Sequence, residues 1–324
     1  MKTTVFILAG ILLVCSLTAA AASDGKGGQP GAFRDVKIGA RPSALGGAFT
    51  AVAEGGIGHM YNPAGLAQSR RYEMSFAYRA MQLDRRLGYV SAAIPAKEEA
   101  RLAISWLYAG TAALQSRDEQ GNVIPGADIS HSENLIGIDF AKRFIPQLML
   151  GGRMFYVQNN IANINAYTVG VDVGALVKLD ARKTFLASAF PLFQAGLAAE
   201  NLGANYRWST GKYWETRGRE RGAAIKETFP INFRLGSALI SPERYLLAAD
   251  VEANTASIIK THLGGEYTFK KTLSLRAGLD DLHPTFGAGF FKKLDRFGLW
   301  IDVAYLTDKV GEGDDVLFSF DLVF

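Results

Sequence analysis

The side chains that could do acid–base, nucleophilic or metal chemistry are few and poorly spaced for it. Four histidines, His59, His131, His262 and His283, have no second ligand at the spacing a metal site needs, so each reads as a loop or lumen residue. The carboxylate pairs Asp280-Asp281 and Asp314-Asp315 stand in polar, turn-forming stretches, where solvation or loose cation binding is the expectation. The glycine-rich segments hold neither a GxGxxG nor a GK[ST] phosphate loop, and Thr210-Gly211-Lys212 leads into a loop rather than a helix. No acid, base and nucleophile constellation forms, no cofactor is implied, and the chain does not read as an enzyme.

One set of charges is more orderly. Asp139, Asp172, Glu200, Arg234, Asp250, Glu252, Glu266, Arg276, Asp302 and Asp321 all fall on the polar side of segments in which apolar and polar residues alternate. Met74, Phe76 and Tyr78 alternate with Ser75, Ala77 and Arg79, and Tyr167, Val169, Val171 and Val173 with Thr168, Gly170, Asp172 and Gly174. A period of two puts one set on each face of a strand. The charged face calls for structural ion pairs or a polar pathway; which of the two it makes depends on what that face encloses.

Fourteen such segments can be counted: 72–80, 86–95, 101–110, 132–142, 147–158, 165–179, 190–201, 229–240, 244–253, 260–269, 272–280, 284–292, 297–306 and 315–324. Most have the length a tilted strand needs to cross a bilayer, and an even number suits a single-chain bacterial barrel. Alternate connections are short, as at Phe144-Ile145-Pro146 and Lys270-Lys271, whereas 111–131 and 202–228 are long. That is the pattern of periplasmic turns against outer loops, with the stretch 180–189 a longer exception. Aromatics near strand ends, Tyr72, Tyr89, Tyr108, Tyr156, Trp300 and Tyr305, are candidates for interfacial girdles. Phe318, Phe320, Leu322 and Phe324 close the chain as one alternating strand ending on an aromatic, which resembles the C-terminal signal of outer-membrane barrels. The expected fold is therefore all-β, a transmembrane antiparallel barrel of about 14 strands. Its charged faces must turn inward, because a charge facing lipid at mid-bilayer costs about 2–4 kcal/mol. The barrel must also close, since an open sheet edge in lipid leaves its backbone groups unpaired. A secreted β-sandwich would show a similar alternation with the apolar face inside.

Targeting agrees. Lys2, the apolar run Val5 to Leu17 and the small residues Thr18 to Ala22 form a signal peptide over 1–22, too short to span a bilayer as a helix. A lipoprotein reading through Cys15 fails for want of a small residue at Leu13-Val14. Cleavage would remove the single cysteine and Lys2, leaving 34 basic against 31 acidic residues, so no disulfide or thiolate chemistry is open to the mature chain. So small an excess gives no reason to expect nucleic acid as a partner. Outer-membrane lipid is the expected surrounding, and a monomeric barrel the expected state.

Residues 23–71 precede the first strand and 72–324 make the barrel. Within the first part, Gly39 to Ala67 holds seven glycines and two prolines in 29 residues, too broken for a long helix or regular strand. It reads as a compact plug in the lumen. Asn62-Pro63 is a helix start, with the asparagine side chain as cap and proline at the first helical position; Ala64-Gly65-Leu66 would be a very short helix, and Ser43 a cap for the turn at Ala44-Leu45.

The wording of that plug resembles the long-chain fatty-acid transporter (FadL-like) barrels and, within them, the PorV/PorQ family. The resemblance rests on Gly39-Ala40-Arg41, on Leu45 to Ala53 and on Asn62-Pro63-Ala64-Gly65-Leu66-Ala67, in that order. It departs at Glu54-Gly55-Gly56-Ile57 and at Tyr61. It implies a fourteen-stranded barrel around an N-terminal hatch, with passage of a hydrophobic small molecule as the hatch moves. Gly46, Gly47 and Phe49 would lie along that passage, while Asn62, Pro63, Ala64 and Gly65 hold the hatch's shape. The alternative it implies is a PorV-like component of the type IX secretion system, which would bind secreted cargo protein at its outer loops.

Overall fold

The computed structural model describes residues 28–118, 120–125, 129–162, 164–181, 190–209, 224–241, 244–309 and 311–324. The expected signal peptide over 1–22, residues 23–27 of the expected plug segment and much of the loops 180–189 and 202–228 lie outside these. Sixteen strands occur among the described residues: β1 Glu73–Ala80, β2 Arg85–Lys97, β3 Ala100–Leu114, β4 Ile129–Ile145, β5 Leu148–Ile161, β6 Ile164–Asp180, β7 Leu192–Leu202, β8 Asn205–Ser209, β9 Ala224–Thr228, β10 Asn232–Ile240, β11 Tyr245–Asn254, β12 Ile259–Phe269, β13 Leu273–Asp280, β14 His283–Lys293, β15 Gly298–Leu306 and β16 Asp315–Val323. Fourteen pair antiparallel, neighbour to neighbour, and β16 returns to β1 to close a barrel. The strands β8 and β9 form a separate hairpin in the connection from β7 to β10.

The alternation sorts the two faces. Ile104, Trp106, Ile136, Ile138, Phe140 and Met154 are among many large apolar side chains exposed on the outside, while Asp139, Arg153, Asp172, Asp250 and Asp302 are buried within. An apolar outside around a charged inside is the reverse of a sandwich core and makes the barrel membrane-spanning, in the manner of the outer membrane. Two of the aromatic positions fall on the other face. Tyr89 is buried in the lumen because its neighbour Val90 takes the outward parity, and Trp300 faces inward against Phe291, one residue out of step with Ile301. Several strands overshoot their sequence bounds, β4 and β6 reaching 17 residues. The outer connections are not uniformly long either, since Asp281-Leu282 is a two-residue turn.

Residues 28–71 lie within the lumen as short turns: a 3-10 turn at Ala32–Arg34, helix α1 Ala40–Ala44, and 3-10 turns at Gly58–Met60 and Pro63–Gln68. Helix α1 begins after Gly39, so Ser43 is inside it and caps nothing; its hydroxyl is buried without a hydrogen bond. At the second site Asn62 accepts from the Ala64 amide at 3.1 Å, with Pro63 at the first position. The resulting turn is 3-10 rather than α and runs over six residues.

Candidate functional site

The plug meets the wall by backbone as well as side chain. The Asp250 carboxylate on β11 accepts from the amides of Phe49 and Thr50, at 2.9 and 2.7 Å. Asn62 donates to the carbonyls of Thr50 and, across the gap, of Ala175 on β6. Elsewhere the approach is too close for a β-carbon on the wall. A side chain at Gly196 would collide with Thr50-Ala51, one at Gly264 or Gly278 with Leu45-Gly46, and one at Gly151 with Pro63-Ala64. From the plug's side, a β-carbon on Gly46 would strike the carbonyls of Leu263 and Leu279. These wall glycines are inward-facing positions on β5, β7, β12 and β13, so the interlock runs round much of the circumference.

Ion pairs complete it. Arg34 reaches Asp172 at 2.6 Å and also hydrogen-bonds Asn201, where the pairing of β6 with β7 slips out of register. Lys37 lies 3.5 Å from Glu252, which Arg234 holds at 2.7 Å, with Glu200 on its other side. Burial pulls the Lys37 ammonium below the ordinary lysine range, against the raising effect of Glu252. Arg41 makes a two-pronged contact with Glu266, at 2.8 and 3.0 Å, and Arg276 joins Glu266 to Asp302. His59 places Nδ1 2.8 Å from Arg153 Nη2 and 3.1 Å from Asp139, with the Tyr89 hydroxyl 3.0 Å from Nε2. His262 sits between the Gly46 carbonyl at 2.9 Å, Asp280 at 3.0 Å and Glu252 at 3.5 Å. Asp280 is thus a buried strand-end residue bound to His262 and Lys309, not a loop carboxylate.

The lumen charges Asp139, Asp172, Glu200, Arg234, Asp250, Glu266 and Asp302 therefore all lie against the plug or against one another, and none lines an open polar channel along the barrel. Gly46 and Gly47 pack against the wall and against Lys37. Phe49 has a different place. It forms part of the roof of a vestibule, about 610 Å³, beneath the plug at the periplasmic end. Ile57, Leu192, Ile240 and Leu246 give that space apolar walls, and Gln194, Lys178 and the Arg41–Glu266–Arg276 group give it polar ones. Gln194 is buried with its side-chain oxygen unpaired. Above the plug an aromatic cluster occupies part of the outer half: Phe33, Tyr206 and Phe229 pack together, Tyr206 edge-on to Phe229 at 4.7 Å, and its hydroxyl donates to Glu133. Among the described residues no group of three or more His, Cys, Asp or Glu is placed to hold a metal.

Sequence reading singled out the lumen acids with two of their partners, Arg234 and Arg276, but without the others. Arg34, Lys37 and Arg41 of the plug and Arg153 of β5 are those others. The available signal was one of balance: an inward face rich in carboxylates needs cations, and the enclosed segment carries them.

The overall likeness to solved structures is decisive for the fold. The CymD monoaromatic hydrocarbon channel superimposes with a TM-score of 0.58 at 12% identity, over 89% of this chain and 97% of that one. Its fold is theirs. A Pseudomonas aeruginosa FadL homologue follows at 0.54 and 12% identity, covering 89% and 98%, and the Pseudomonas putida toluene transporter TodX at 0.52 and 12%, covering 83% and 92%. All three are transporters or channels of FadL-like architecture. No protein-family model and no curated protein sequence matches the chain.

Proposed function

We propose that the chain is an outer-membrane barrel of the FadL-like kind that lets hydrophobic small molecules, fatty-acid-like in having a long apolar body, cross by diffusion. The vestibule carries this reading. It is a space of about 610 Å³ with Phe49, Ile57 and Leu246 on its surface, inside a fold whose solved examples carry monoaromatic hydrocarbons and toluene. Withdrawal of the whole hatch is opposed by the interlock, which would lose several backbone hydrogen bonds at once. The part able to shift is the turn at Glu54-Gly55, where Gly55 has open space around it and Glu54 is half-exposed beside Arg41. Uptake of a labelled long-chain fatty acid and of toluene by a deletion strain tests the reading: restoration by the wild-type gene but not by Phe49→Arg supports it, and equal uptake with and without the gene sinks it.

A second reading has its own support. The aromatic cluster above the plug suits a barrel that transports nothing and offers its outer loops to secreted cargo, as a PorV-like component of type IX secretion would; the Leu45 to Ala53 and Asn62 to Ala67 wording leans toward PorV/PorQ. Loss of a whole set of exported proteins from the surface and supernatant of the deletion strain, with uptake unchanged, would select it.

A further inference from the structure

The lipid-facing wall carries a feature that neither reading uses. Two neighbouring turns at the periplasmic rim, β12–β13 and β14–β15, present Lys270, Lys271, Lys292, Lys293 and Arg296, all exposed, and Asp295 is the one acid among their described residues. The Phe291 amide donates to the Thr272 carbonyl at 2.7 Å, which sets the two turns side by side. The β12–β13 connection is Lys270-Lys271-Thr272, where the Thr272 amide donates to the Phe269 carbonyl at 3.0 Å and the two central lysines are both left-handed, with φ of 49° and 59°.

The ammonium groups lie where the apolar wall ends. Lys270 Nζ is 5.2 Å from the ring centre of Phe269, itself exposed to lipid, and Lys292 continues the outward row of Phe286 and Phe290. Long basic side chains at such a position carry their charge to headgroup depth. Farther up the same strands the wall is indented by an apolar groove of about 590 Å³. Its floor is Gly265, opposite Ala277 on the next strand, and exposed Leu247, Leu263 and Phe286 form its flanks. Ala277 stands six residues beyond Lys271. At about 3.4 Å per residue on a tilted strand this is about half of the ~30 Å hydrocarbon core, the depth at which a chain from the periplasmic leaflet ends.

We propose that this face binds an anionic phospholipid of the periplasmic leaflet, its phosphate held by Lys270 and Lys292 and one acyl chain laid in the Gly265–Ala277 groove. The groove decides between lipid and protein as the partner: an acidic protein in the periplasm could meet the lysines, but the groove lies within the bilayer, where only a lipid chain reaches it.

The test is native mass spectrometry of the full-length protein in mild detergent, titrated with phosphatidylglycerol and with phosphatidylcholine of the same chains. One phosphatidylglycerol is expected to bind at least about tenfold more tightly than phosphatidylcholine. The double variant Lys270→Asn/Lys292→Gln removes two exposed ammonium groups and leaves the apolar wall intact, so it keeps the barrel folded, and it should lower phosphatidylglycerol affinity about tenfold while leaving phosphatidylcholine unchanged. Ala277→Leu fills the groove from the lipid side and should weaken both lipids. Equal affinity for the two lipids overturns the proposal, as does phosphatidylglycerol binding that ignores the lysine variant. Binding that follows the lysines but ignores Ala277→Leu overturns it too, because charge alone would then be at work; so would an acidic protein retained by the lysines without any lipid preference.

Discussion

The outer and inner halves of the lumen are built from the same residue types and differ in how completely those residues are enclosed. In the outer half Arg34 and Asp172 are nearly inaccessible, and Phe33, Tyr206 and Phe229 fill part of what the ion pairs leave. In the inner half Arg41 is 22% and Glu54 43% exposed, and the two face a vestibule. A buried pair that loses one partner strands a charge, whereas a half-wet pair can hand its partner to water. The outer half is therefore the lock, and the inner half is the place where a ligand or a moving turn can be accommodated at low cost.

This contrast can be broken most directly at the interlock between the halves. Gly196→Leu would drive a side chain into Thr50-Ala51. Relief requires backbone movement, so a loss beyond about 3 kcal/mol is expected, read as disappearance of the heat-resistant folded form on a semi-native gel. Next comes Asp250→Ala, which strands the buried amides of Phe49 and Thr50. Two charge-assisted hydrogen bonds together are expected to cost about 3–5 kcal/mol, measured as a fall in the urea midpoint in detergent, with Asp250→Asn losing about half as much. If either variant unfolded like the wild type, the plug would not be locked.

Arg34→Ala against Arg41→Ala sharpens the comparison itself. The outer change is expected to cost about 3 kcal/mol and the inner about 1 kcal/mol, because Asp172 is then left buried with Arg153 no nearer than 3.7 Å, whereas Glu266 keeps Arg276 at 2.5 Å and Glu54 is half-exposed. Equal losses would erase the distinction between the halves. The smallest effect on stability is expected at the vestibule wall: Gln194→Leu removes an amide whose oxygen is unpaired, so stability should move by less than about 0.5 kcal/mol or rise slightly. Uptake of hydrophobic tracers should nonetheless change, since Gln194 lines the vestibule.

Much of the fold was legible because period-two alternation is a local property. Each of the fourteen alternating segments corresponds to a barrel strand, and Asn62-Pro63 marks a turn start that depends only on its immediate neighbours. Errors arose where a single residue of parity mattered, as at Tyr89 and Trp300, and where an element had too few residues to show a period, as with the hairpin β8–β9. The lysines at positive φ in the β12–β13 turn were hidden for another reason. The turn itself was legible as a short connection, but its left-handed backbone was not, because two lysines are not the residues such a conformation favours.

By itself the sequence determined the number of barrel strands, the face most of their side chains take and a segment rich in turns ahead of them, since these follow from spacing along a few neighbouring residues. Only the tertiary structure decided which plug cation meets which wall acid. Arg34 and Asp172 are 138 positions apart, and Arg41 and Glu266 are 225. Their meeting depends on how the closed barrel sets the height of each strand against the plug, a quantity that all fourteen strands fix together and that no one of them encodes.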